Sequence, residues 1–150
     1  MKKILVCMLL VIATCFAMVS CGVSIDDVKE RLSALEEEYE DSKDEKFSFE
    51  KATKNEKEEL VDELEDELDI NLEGEVISAY NVKYQNEDGD RYFCSIVEFE
   101  KSSDVKAVEK EADTFEEMFS EENDGTFVCV REGTILFIGS EELINMILEK

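Results

Sequence analysis

Carboxylates are the commonest chemically competent side chains in this sequence: 40 aspartates and glutamates stand against 16 lysines and arginines, and histidine is absent. Without an imidazole, histidine-based triads, histidine-ligated zinc and imidazole acid-base catalysis are all excluded. Carboxylate-only or serine-lysine chemistry stays open, as does cation binding by oxygen ligands. Two stretches invite the cation reading. Asp62, Glu63, Glu65, Asp66, Glu67 and Asp69 crowd one segment, and Asn86, Asp88 and Asp90 alternate around Gly89. The second set fails as a calcium loop, because its glycine falls between Asp88 and Asp90 instead of after the third ligand, and no glutamate closes the loop at the twelfth position. Asn86 to Asp90 therefore reads as a hairpin turn. The first set is interleaved with Leu60, Val61, Leu64 and Leu68, which makes it the solvated face of an amphipathic helix. Glu121 to Gly125 is ordinary turn chemistry.

Cysteine offers the remaining nucleophile. Cys94 and Cys129 each sit mid-strand among apolar residues, where cysteine behaves as a small buried hydrophobe. A disulfide between them requires α-carbons within about 7 Å, and buried free thiols are the favoured reading. Neither has a basic cluster to lower its pKa. The sequence holds no glycine-rich phosphate loop and no Gly-x-Ser-x-Gly elbow. No catalytic, cofactor-binding or metal-binding residue is assigned.

The elements that would carry these residues can be read from periodicity. Ser24 caps a helix over 24–41 whose apolar seam is Ile25, Val28, Leu32, Leu35 and Tyr39, spaced by three and four. That seam suits packing on the chain's own domain, with a stalk as the other option. Phe47 and Phe49, two apart, suggest a loop or short strand dropping two rings onto the core. Thr53 and Glu56 have the spacing of a capping box for a second helix. Strands follow from Glu75 to Gln85, with Val76, Tyr80, Val82 and Tyr84 on one parity, and from Arg91 to Glu100, with Phe93, Val97 and Phe99 sharing a face. Ser102 or Ser103 then caps a helix carrying Val105, Val108, Ala112, Phe115, Met118 and Phe119. Two more strands, Thr126 to Val130 and Thr134 to Ile138, flank a turn at Glu132-Gly133, and their unbroken apolar runs read as buried central strands. Ser140 caps a final helix with Leu143, Ile144, Ile147 and Leu148. The expected fold is α+β: N-terminal helices followed by a ββαββα unit, with a four-stranded, mainly antiparallel sheet and helices packed on one face. Phe99, Phe115, Phe137 and Ile147 are expected to share one core.

The beginning of the chain has a different character. Lys2 and Lys3 precede an uncharged run from Ile4 to Ile25, the charged and apolar regions of a secretory signal. The run ends Ala17-Met18-Val19-Ser20-Cys21-Gly22, which resembles the lipobox of bacterial lipoproteins. That resemblance implies cleavage between Ser20 and Cys21, a diacylglyceryl group on the Cys21 sulfur, and attachment to the extracytoplasmic face of a cell membrane. The stretch from about Glu58 to Phe99 resembles a PepSY-type module in its helix, its hairpin with Gly89 in the turn, and Tyr92-Phe93 entering the second strand. Such modules occur in secreted and membrane proteins and are thought to restrain peptidases.

The expected divisions are 1–20 as signal peptide, 21–52 as lipidated cysteine, acidic helix and connector, and 53–150 as a small α+β domain. Only Lys2 and Lys3 among the charged residues leave with the signal, so the remainder carries 40 acids against 14 bases, a net charge of −26. That balance excludes ordinary nucleic-acid binding, which needs a basic stripe, and leaves lipid on Cys21 as the membrane contact. The leading expectation is a surface-tethered binding or interaction module with an unidentified protein partner. An extracytoplasmic cation or solute sensor using the acidic surface comes second, and a carboxylate-based hydrolase third.

Overall fold

The computed structural model describes residues 22–111 and 126–149. Nine elements follow in order: α1 (Ile25–Glu40), β1 (Lys46–Lys51), α2 (Lys54–Leu68), β2 (Val76–Gln85), β3 (Arg91–Phe99), α3 (Ser102–Lys110), β4 (Phe127–Glu132), β5 (Ile135–Ser140) and α4 (Glu141–Leu148). Helices α1 and α2 begin where local chemistry places them. The Ser24 hydroxyl accepts from the Asp27 N–H while the Asp27 carboxylate accepts from the Ser24 N–H, and Thr53 and Glu56 make the same reciprocal pair. Each box satisfies backbone donors that the first helical turn leaves free. Asp69, in the left-handed conformation, closes α2, and Glu65 reaches past that end to accept from the Leu72 N–H at 2.7 Å.

Two expected caps are corrected. Lys101, not Ser102 or Ser103, occupies the cap position of α3 and makes no side-chain cap bond. Ser140 does hold the cap position of α4, but its hydroxyl accepts from the Phe93 N–H across the sheet at 3.2 Å instead of from the helix.

The sheet has five strands, not four, in the order β1-β2-β3-β5-β4, and every neighbouring pair is antiparallel. The added strand is β1, paired with β2 from Lys46 opposite Gln85 to Lys51 opposite Tyr80. Its two rings do reach the core: Phe47 is buried and Phe49 packs half-buried against it. The segment before residue 53 thus contributes a helix and an edge strand to the same fold.

Helices cover both faces of the sheet, which corrects the one-face expectation. On one face, α1 (Val28, Leu32, Leu35) and α4 (Leu143, Ile144, Ile147) pack with Tyr80, Val82, Cys94, Ile96, Ile135 and Phe137. On the other, α2 (Leu64, Leu68) and α3 (Val105, Val108) pack with Ala79, Val97, Phe99, Leu136 and Ile138. Successive strand residues point to opposite faces, so Ile96 and Val97 serve different cores. Phe99 therefore lies across the sheet from Phe137 and Ile147, and the three do not share one core; Phe115 lies outside the described residues. A break in register between Val76 and Ser78 adds one residue to β2 and turns Val76 to the face opposite Tyr80, Val82 and Tyr84.

The unbroken apolar runs report two covered faces rather than a central place in the sheet. Strand β5 is an inner strand and its Ile135 to Ile138 are buried. Strand β4 lies at an edge, with Val128 and Val130 against one core and Phe127 and Cys129 against the other. Gly133, at φ 65, turns β4 into β5, as a tight hairpin asks of its first central residue.

Candidate functional site

Cys21, the residue expected to carry lipid, lies immediately before the described residues. Gly22 follows it at the β4–β5 turn, where a Cβ on Gly22 would stand 3.9 Å from the Gly133 main chain. That turn is at the end of the sheet where β2 begins and β3 finishes, since Glu98 pairs with Ile135.

The carboxylate stretches resolve as the residue patterns suggested. Asp62, Glu63, Asp66, Glu67 and Asp69 are exposed. The Asn86 to Asp90 turn satisfies itself: Asn86 Oδ1 accepts from the Asp90 N–H at 2.8 Å, and Asn86 Nδ2 donates to Asp90 Oδ2 at 3.1 Å. Among the described residues no three His, Cys, Asp or Glu side chains are grouped to hold a metal ion. No disulfide joins Cys94 and Cys129. Strand β5 runs between their strands, and they face opposite cores, so they stand roughly two strand spacings, about 10 Å, apart. Burial pushes the Cys94 thiol far above its ordinary range, the opposite of an activated nucleophile.

One buried acid was not singled out from the sequence. Asp104, at the start of α3, is 2% exposed, and its carboxylate accepts from the Glu73 N–H at 3.1 Å and the Gly74 N–H at 2.8 Å. Both partners lie some thirty positions earlier, so only the spacing of Ser102-Ser103-Asp104 at a helix start was available as a signal. It clamps the α2–β2 loop to α3, and its bonds are to backbone, which makes the role structural.

A second feature missed from the sequence is the uncovered quarter of the sheet. Helices α2 and α3 cover their face near Ala79, Val97 and Phe99, but no helix among the described residues covers the far ends of β1, β2 and β3 on the same face. Cross-strand register builds this surface in rows. Lys46, Gln85 and Arg91 make the outermost row, and Ser48, Lys83 and Phe93 the next. Lys46, Ser48, Lys83 and Arg91 are exposed, and Phe93 is 44% exposed. A shallow concavity of about 290 Å³ lies there, bordered by these residues with Gln85, Tyr84 and Tyr92. It has three bases and no acid on its border. Among the described residues none of the three bases forms an ion pair.

Two other concavities have mixed charge. The one beside the chain's start is lined by Val23, Val28, Ile147 and Leu148 with Asp27, Glu30, Arg31 and Glu149. Arg31 is committed there, ion-paired to Glu149 at 3.1 Å and donating to the Met146 carbonyl. The other lies between α2 and the start of β2, where Lys54 and Lys57 face Glu58, Asp62 and Glu75. Lys54 pairs with Glu58, and Lys57 donates to the Ile77 carbonyl at 3.0 Å. Neither gathers polar groups of one kind. No protein family, curated protein or solved structure matches this chain.

Proposed function

We propose that the chain is a lipid-anchored interaction module, held through Cys21 to the extracytoplasmic face of a cell membrane and presenting the open quarter of its sheet to a partner. The observation that carries this reading is polarity of placement. Gly22, the residue after the anchor, sits at one end of the sheet, and the open rows of Lys83 and Arg91 sit at the other. Glu98 and Arg91 are seven residues apart on β3, which sets that separation at about 24 Å. Only Gly22 and Val23 lie between the anchor and the Ser24 cap, so the module stands close to the bilayer with its open quarter turned away. Two acyl chains hold it there, each buried methylene contributing about 0.8 kcal/mol. Within the fold, β2-β3-α3 and β4-β5-α4 repeat one hairpin-then-helix order, with their helices on opposite faces of the sheet.

The experiment is fatty-acid labelling of cells expressing the natural chain or Cys21→Ser. Label should enter the natural chain alone, and the variant should leave the washed membrane fraction. Equal label in both, or retention of the unlabelled variant, contradicts the anchor.

A further inference from the structure

We propose that the open quarter of the sheet binds a short acidic peptide segment of a partner protein in extended conformation. This rests on the reading of the chain as an interaction module and names the chemistry of its partner. Charge singles out this surface. Acids outnumber bases 40 to 16 over the whole chain, yet the concavity beside Phe93 is bordered by Lys46, Lys83 and Arg91 and by no acid. A solvated face drawn from this composition would carry mostly carboxylates, as the outer face of α2 does.

These cations are also available to a ligand. Arg31, Lys54 and Lys57, which border the two concavities of mixed charge, are held by neighbours, whereas Lys46, Lys83 and Arg91 form no ion pair among the described residues. On this face Glu50 lies one row further in beside Asn81, and the Asp90 carboxylate in the turn accepts from Asn86. Their spacing suits an extended chain. Gln85 lies between Lys46 and Arg91 in one row, and Lys83 lies two residues back along β2. Strand spacing and rise therefore set the three cations in a triangle with sides of about 8 to 10 Å at the Cα level. An extended peptide projects alternate side chains from one face about 7 Å apart, so carboxylates two residues apart fall within reach of two corners. Phe93, directly opposite Lys83, gives an apolar side chain of the same peptide a ring to lie on.

Net charge narrows the occupant further. At −24, long anionic polymers and anionic bilayers are repelled beyond the few ångströms over which three bases prevail, with a screening length of about 8 Å at physiological salt. A second copy of this acidic chain meets the same repulsion. A short segment carrying two or three carboxylates concentrates its charge where the bases are.

The test uses the full-length protein in neutral detergent micelles, so that it does not depend on the anchor. The probe is a fluorescein-labelled peptide of about ten residues alternating glutamate with valine, read by anisotropy beside the same peptide with glutamine for glutamate. Binding should saturate with the glutamate peptide and weaken at least about tenfold with the glutamine peptide. Lys83→Glu combined with Arg91→Glu should weaken it by about tenfold or more, and Phe93→Ser should weaken it with charge unchanged. These positions are exposed, and an unchanged melting curve identifies variants that remain folded. No saturable binding, equal binding of the glutamine peptide, no effect of the charge reversals, or competition by free glutamate as strong as by unlabelled peptide each overturns the proposal. Fatty-acid labelling of Cys21 is unaffected by any of these outcomes, so failure here leaves the anchored-module reading to its own test.

Discussion

Replacing Gly139 with alanine should be the most damaging single-methyl addition in this fold. Gly139 lies on the inner strand β5, opposite Cys94 of β3 and Val128 of β4, at φ 155. A Cβ there would overlap the Phe93 carbonyl oxygen and lie 2.6 Å from the Cys94 Cα and 3.0 Å from the Phe93 carbonyl carbon. All three obstacles are main-chain atoms of a strand paired on both sides, so no flexible side chain can yield. Forcing extra volume into a packed core costs about 1 to 3 kcal/mol, and a main-chain obstacle places this case at the top, about 3 kcal/mol. For a domain of this size that corresponds to a fall in melting temperature of about 10 to 15 °C. Gly133→Ala is the control. It also has positive φ, at 65, but no atom lies within 4 Å of its Cβ, so only left-handed strain of about 1 kcal/mol remains. Circular-dichroism melts and urea titrations of both variants make the measurement. If Gly139→Ala melts within about 3 °C of the natural chain, or Gly133→Ala is the more damaged, the β3–β5 approach is wrong.

Asp104→Ala should cost about 2 to 5 kcal/mol in urea unfolding, because it leaves the Glu73 and Gly74 N–H groups without their acceptor, while Asp104→Asn, which keeps one oxygen, should cost less. Burial, reinforced by a 2.6 Å hydrogen bond to Glu45, raises the Tyr84 phenol above its ordinary value near 10. The protonated phenol is favoured in the fold, so its contribution is whole below pH 10 and is lost as pH rises through the raised value. Tyr84→Phe should lower stability by about 0.5 to 1.5 kcal/mol at neutral pH and flatten the alkaline decline of the melting temperature. Added sodium chloride should raise the melting temperature by screening the net charge of −24. At fixed ionic strength calcium and magnesium should stabilise alike, and a saturating shift by one cation alone would establish a metal site.

Local chemistry was legible in the sequence where its partners are close along the chain. The Ser24–Asp27 box, the Asn86–Asp90 turn and the helical seam of Val28, Leu32 and Leu35 all place cause and effect within a few residues. Pairing at long range was not. Nothing in Lys46 to Lys51 announces β2 as its neighbour, which is why the fifth strand emerges only from the fold. Face assignment fails at Val76 because one extra residue in β2 inverts the alternation on which parity rests. The serine at 140 looked like a cap, but the Phe93 N–H across the sheet takes its hydroxyl. The candidate site was illegible for the same reason. Lys46, Lys83 and Arg91 are scattered among acids along the chain and become neighbours only when three strands are set in register.

The proposed module has polarity, anchored at the Gly22 end and open at the Phe93 end. Energy transfer in vesicles from a fluorophore on Gly133→Cys or Phe93→Cys to acceptor lipids, with the lipidated chain that begins at Cys21, measures that polarity. Transfer should be strong from position 133 and much weaker from position 93, matching a difference in height of about 20 Å. Equal transfer from both positions, or stronger transfer from 93, would mean that the sheet lies flat or inverted on the bilayer and would contradict the account.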